Sequence, residues 1–208
     1  MKYITQYRTL TNPKYRLITN ILIPVIAAFG MFLAQTLQQH MVWLLSVITV
    51  FLFCEIVGDY LGFGCICKKN AFGMDFLKCG YNGITYFKHA VFTDMFVRIV
   101  RITVCMIVGM IPYLSNGGSI WVLLDMIIVI CIVSVASLNV TRYIDMAQYV
   151  NLVSGFLTIP AVVAVEVVPI FAERFKILLP AGVIVLVFVV AATYHHMKSC
   201  IEKSYMDR

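Results

Sequence analysis

The chain has 208 residues, 62% of them hydrophobic and 12% charged, with a mean hydropathy of +0.93. About a quarter of the residues in a soluble domain are charged, so this composition excludes an ordinary water-soluble globule and points to an integral membrane protein. The formal charge of +6 does not call for nucleic acid as a partner, because basic residues held on the cytoplasmic face beside anionic lipid account for it.

Met1 to Arg16 carries Lys2, Arg8, Lys14 and Arg16 without an acid, and Tyr3, Ile4, Tyr7 and Leu10 share one helical face. This pattern predicts an interfacial helix over 1–16 on the inner leaflet. Pro13 turns the chain into a first span, 17–37, whose roughly 21 uncharged residues meet the roughly 20 that a bilayer needs. A cleaved secretory signal would have a shorter apolar core and a small-residue cleavage site, so an uncleaved span is expected. Spans 41–61, 95–114 and 119–140 follow, separated by Gln38-Gln39-His40, by the polar interval described below, and by Ser115-Asn116-Gly117-Gly118. From Met146 to Ala172 only Glu166 interrupts the apolar run, and Pro160 and Pro169 lie inside it. A straight helix of that length would run about 40 Å against a hydrocarbon core of about 30 Å. The expected solution is a fifth span, 146–160, then a bent re-entrant segment, 161–172, in the outer leaflet, then a last span, 177–197. A basic tail with Lys198, Lys203 and Arg208 completes the chain.

Lys and Arg alternate by side: four precede the first span, none separate the first two, six lie in the central interval, none in the 115–118 turn, and Arg142 follows the fourth span. The positive-inside bias therefore places both termini in the cytoplasm of a multi-pass plasma-membrane protein. Cys65, Cys67, Cys79 and Cys200 then fall on the cytoplasmic side, where thiols stay reduced, and no disulfide framework is expected.

The central interval, Gly64 to Arg101, holds Lys68, Lys69, Lys78, Lys88, Arg98 and Arg101, six of the sixteen basic residues. Phe72 to Cys79 reads as about two turns of amphipathic helix with Gly80 at its C-terminal cap. Asn82 is placed to cap the next helix, whose apolar positions Ile84, Phe87, Val91 and Met95 recur at helical spacing. Membrane segment, stub helix, Gly80-Tyr81-Asn82-Gly83 break and long amphipathic entry together resemble the loop between the second and third spans of ABC-2-type transporter permeases. That resemblance implies an all-α, six-span fold in which 72–79 is the coupling helix of a cytoplasmic loop, 64–94, and short helices re-enter between spans five and six. It implies that Phe72, Met74, Asp75, Phe76, Leu77 and Lys78 dock on a separate ABC ATPase, two copies per complex, which holds ATP and Mg. It further implies a second permease copy or a sister permease, and export of an amphipathic or hydrophobic substrate such as a peptide. The chain has no G-x-x-x-x-G-K-[ST] run, so it is expected to be neither an enzyme nor a binder of any cofactor of its own. The bland alternative for the stub is an apolar face resting on lipid.

Charges inside spans cost about 2.5–3.5 kcal/mol each at mid-bilayer and turn toward protein or water. Glu55 and Asp59 stand one turn apart near the inner end of span two, and Arg98 and Arg101 near the inner end of span three. Glu55 and Arg101 are each about 9 Å inside the boundary, which predicts a buried pair, either a structural clasp or a substrate contact. Asp125 and Glu166, in the outer half, either line a wet translocation path or pair across an interface. Cys65, Cys67, Cys79 and His89 do not have the spacing of a zinc site, and no metal is expected. His195-His196 reads as an interfacial pair, and the Asn139-Val140-Thr141 glycosylation pattern falls on the wrong side of the membrane for the reaction. Rivals to the exporter are a non-transporting membrane sensor, immunity or scaffold protein, and an ion-coupled transporter or channel. The last is disfavoured because no inverted repeat is visible.

Overall fold

The computed structural model describes residues 2–11, 13–38, 41–63, 82–141 and 178–206, with isolated positions 156, 158, 159, 163 and 167. Its described elements are all helical: α1 is Lys2–Leu10, α2 the long apolar helix Pro13–Leu37, and α3 Met41–Phe63. They continue with α4 at Gly83–Gly109, α5 the short Ile111–Ser115, α6 Ile120–Thr141 and α7 Leu178–Met206. Pro13–Leu37, Ile120–Val140 and Leu179–Glu202 are long and apolar enough to cross a membrane, and α3 contributes the shorter apolar run Trp43–Gly58. The stub helix expected at 72–79 lies outside the described residues. So do the fifth span, 146–160, and the re-entrant segment, 161–172, apart from isolated positions.

The axis of the bundle is α4, 27 residues and hence about 40 Å long. It packs against α1, α2, α6 and α7. Near its start Phe87, Val91 and Met95 are buried with Tyr7 of α1, Val135 and Leu138 of α6, and Met197 and Ile201 of α7. Farther along, Ile102, Cys105 and Met106 join a second cluster with Ala28 and Met31 of α2, Ile48 and Leu52 of α3, and Met126 and Ile130 of α6. One helix thus serves both cores, and its 3.6-residue periodicity is what aligns them. Asn82 does stand at the N-cap position, but its side chain makes no capping bond; its carbonyl accepts the Tyr86 N–H at 2.9 Å.

The expected third span, 95–114, is broken. Pro112 has no N–H to give the carbonyl of Val108 and its ring presses on that carbonyl, so α4 stops at Gly109 and the chain turns at Met110. It then restarts as α5 with Pro112 in the first turn. The turn expected at 115–118 follows, with Gly117 at φ 86°, a conformation that costs glycine nothing. At the other end, α7 continues to Met206 instead of ending as a span at 197, and Lys88 Nζ donates to Glu202 Oε1 at 2.5 Å, fastening that extension to the start of α4.

A proline also explains the shape of α2. Pro24 cannot donate to Asn20, so the helix widens into a π-type turn over Ile18–Leu22 just before it, and a second such turn, Ala34–Gln38, ends the helix. The outward faces are apolar: Val25, Ile26, Phe29, Phe96, Ile184 and Phe188 are all more than half exposed. In water such a surface would aggregate, whereas acyl chains cover it without cost.

α2 and α4 cross most closely at Gly109. A Cβ there would stand 2.9 Å from Met31 Cε, 3.0 Å from Met31 Cβ and 3.3 Å from the Ala28 Cα. Small residues let helix backbones approach in this way. Gly109→Leu should therefore lower stability by about 1–3 kcal/mol through overpacking. Thermal unfolding in detergent micelles would register it, with the exposed Val108→Leu as a neutral control; equal melting of the two variants would contradict this crossing.

Candidate functional site

Part-way along the bundle, eight residues before Phe63 ends α3 and eight before Gly109 ends α4, three helices bring polar side chains into an apolar surround. Glu55 on α3 is 3% exposed, and its carboxylate forms an ion pair with the Arg101 guanidinium of α4. Arg101 also donates to Asn20 Oδ1 on α2. Asn20 sits in the widened turn that Pro24 imposes, so a backbone irregularity on the first long helix supplies the second acceptor for an arginine on the third. α3 and α4 have few close backbone contacts, and the length of the arginine side chain is what closes the gap. Glu55 Oε1 and Arg101 Nε are buried and have no hydrogen-bond partner among the described residues.

The remaining expected site residues are distributed differently. Arg98 reaches α6, where it donates to the carbonyl and hydroxyl oxygens of Ser134 at 3.2 and 3.3 Å. Ser137 Oγ donates to the same carbonyl at 2.8 Å. The two arginines, three residues apart, therefore reach different neighbours, Arg98 α6 and Arg101 α2 with α3. Asp59 follows Glu55 by one turn on α3, and its side chain is outside those described. Phe72, Met74, Asp75, Phe76, Leu77, Lys78 and Glu166 also lie outside the described residues. Asp125 is buried at 6% exposure near the start of α6, at the opposite end of the bundle from Glu55. Among the described residues no hydrogen bond or ion pair joins it to a partner.

Three participants were not anticipated from sequence. Tyr7 of α1 is 5% exposed; burial, and then the negative charge of Asp94, push its phenol up to about 12, so it stays neutral. Its side chain is hydrogen-bonded with Asn20, which ties the N-terminal helix into the Arg101 group. Asp94, 6% exposed, stands one turn before Arg98 on α4. Its spacing to Arg98 was a usable signal, since charges at i and i+4 share a helix face. Asn20 was detectable only as the residue whose carbonyl Pro24 leaves without a donor. α1 docks further through His89, whose Nδ1 is 3.0 Å from Gln6 Oε1 and whose ring lies 4.2 Å from that of Tyr3.

The lesser motifs become structural. Asn139 donates through Nδ2 to Thr193 Oγ1 at 2.8 Å and its Oδ1 accepts from His196 Nδ1, 3.2 Å away, so it joins α6 to α7. Cys105 donates its S–H to the Pro24 carbonyl at 3.3 Å. Among the described residues no group of three His, Cys, Asp or Glu is placed to hold a metal ion. Comparison with family models, characterised proteins and solved structures returns no match.

Chemically, the site is a charge pair held away from water. Removing one partner of such a pair costs about 3–5 kcal/mol, because the survivor remains charged in a low-dielectric surround, whereas replacing both by apolar residues is close to neutral. Arg101→Leu alone should sharply reduce the yield of folded protein and its melting temperature, and Glu55→Leu combined with it should recover most of the loss. Fluorescence-detected size exclusion of the two single variants and the double would decide. A double variant no better than the worse single one would dissolve the pair as an energetic unit.

Proposed function

We propose that the chain is the permease subunit of an ATP-driven ABC exporter. It has six spans with both termini in the cytoplasm, and it moves an amphipathic or hydrophobic substrate such as a peptide. The observation that carries this reading is the position of the Glu55–Arg101 pair. Residues 64–81, which include the stub at 72–79, are strung between the end of α3 and the start of α4. Glu55, about 12 Å before the end of α3, and Arg101, about 27 Å beyond the start of α4, clasp the two helices from which that stretch hangs. A push on the stub by an ATPase beneath the membrane is then delivered to both helices as one unit, and through Arg98 and Ser134 to α6. In this scheme the nucleotide and its Mg belong to the partner, and two permease chains enclose the path.

The stub tests the proposal directly. Its anchors Phe72 and Phe76 would form a small interface hot spot, where truncation of a buried aromatic costs about 2 kcal/mol or more. Phe76→Ala and Phe72→Ala should release the ATPase subunit, or uncouple its hydrolysis from transport, while leaving the membrane part inserted. Normal ATPase retention with normal transport-linked turnover would overturn the proposal. The topology is checked independently in a cysteine-free background: Gly117→Cys should label from outside intact cells, and a cysteine restored at position 79 only after the membrane is opened. Labelling of both from one side would exclude the six-span arrangement.

A further inference from the structure

Between α2 and α4 runs a groove of about 500 Å³ whose walls are apolar along most of its length, with Ile21, Val25, Val100, Val104 and Val108 among them. It opens outward, since Val25 is 59% and Val104 55% exposed. Its walls extend along α4 from Thr93 to Val108, a rise of about 22 Å. That exceeds the roughly 15 Å of hydrocarbon in one leaflet and leaves room at one end for a head group.

The polarity changes at that end. Thr93 and Ile4 of α1 lie there, and Asn20 and Arg101 line the groove farther in, Arg101 about 12 Å along α4 from Thr93. The Arg101 side chain is 10% exposed and its Nε is buried with no acceptor among the described residues. One turn before Asn20 on α2, and so continuing the same stripe toward the N-terminus, stands Arg16, whose Nε is likewise buried without an acceptor. A buried guanidinium N–H left unmet costs free energy that a ligand oxygen would recover. Arg16 stands one turn from Asn20, which Arg101 touches, and two such donors beside a hydrocarbon-lined slot call for oxygen acceptors on a molecule whose other end is an alkyl chain. Lys14 and Arg8 add positive charge beyond Arg16 and no acid precedes Glu55, so the head should be anionic.

We infer that this groove is a binding site for one anionic phospholipid of the leaflet beside α1: its phosphate at Arg16, an ester carbonyl at the Arg101 Nε, and one acyl chain along Val100, Val104 and Val108. The site does not depend on the exporter reading. The test uses the full chain in mild detergent, incubated with equal amounts of palmitoyl-oleoyl phosphatidylglycerol and palmitoyl-oleoyl phosphatidylcholine, with retained lipid counted by native mass spectrometry. The wild type should hold one phosphatidylglycerol in preference to phosphatidylcholine by about tenfold. Arg16→Gln should erase the preference, and Val104→Trp, which fills the slot, should abolish retention of either lipid. Val100→Trp serves the same purpose if Val104→Trp does not fold. Equal retention of the two lipids by the wild type would overturn the assignment. Unchanged retention in the tryptophan variant would do the same, as would a dimer that the tryptophan variant disrupts without altering the lipid count, which would give the groove to a second copy of this chain.

Discussion

A carboxylate and a guanidinium removed from water together constrain everything near them, because neither tolerates the loss of the other. The attraction between Glu55 and Arg101 gains strength from the apolar surround that makes each ion expensive on its own. The pair therefore does more than add stability. It fixes which part of α3 faces which part of α4, since a slip of either helix by one residue would rotate a charge into hydrocarbon. Asn20 extends this constraint to α2 through Arg101. Helix–helix packing in lipid lacks the usual hydrophobic drive, so a polar clasp of this kind carries a larger share of the specificity than it would in water.

From that clasp the architecture of α4 follows. Arg98 and Arg101 point to different neighbours, so α4 is held on two sides at one depth, and the apolar residues on either side of that depth are left to fill space. Phe87, Val91 and Met95 pack toward α1 and α7, and Ile102, Cys105 and Met106 toward α2, α3 and α6. Beyond them Gln35 of α2 donates to the Gly109 carbonyl at 3.4 Å, and the helix ends where Pro112 forces it to. The bundle is thus polar and specified at the end of the buried charges, and close-packed at the end of Gly109.

Much of this was legible in the sequence, and the parts that were not have identifiable reasons. The helices themselves follow from long apolar runs, and the Glu55–Arg101 contact from two opposite charges at equal depth on consecutive runs. Depth counting gave no azimuth, however, so the reach of Arg98 to Ser134 on α6 was not foreseen. The break at Met110 was missed because the apolar run continues through Pro112 to Leu114, and hydropathy does not register a missing N–H. Docking of α1 was read as a lipid contact since Tyr3, Ile4 and Tyr7 suit either surface; burial separates them, with Tyr7 at 5% and Ile4 at 53% exposure. The polar partners Asn20 and Ser134 are single uncharged residues in apolar stretches, which carry no sequence signal until a charge on another helix is known to reach them.

The engagement of α1 bears on how such a bundle could move. Tyr7 is neutral and buried, meets Asn20, and lies within the field of Asp94, so the N-terminal helix is attached to the same polar group that clasps α2, α3 and α4. Any displacement of α4 along its axis must either carry α1 with it or break that attachment, at the cost of leaving Tyr7 and Asn20 unpaired in an apolar surround. The lower-energy course is a rigid-body shift of α1, α3 and α4 together. The compliance then falls at the points where the helical ladder is already interrupted: the widened turn of α2 at Ile18–Leu22 and the Met110 break before Pro112. One of these interruptions lies at the clasp, where it holds Asn20, and the other nine residues beyond Arg101, just past the end of α4.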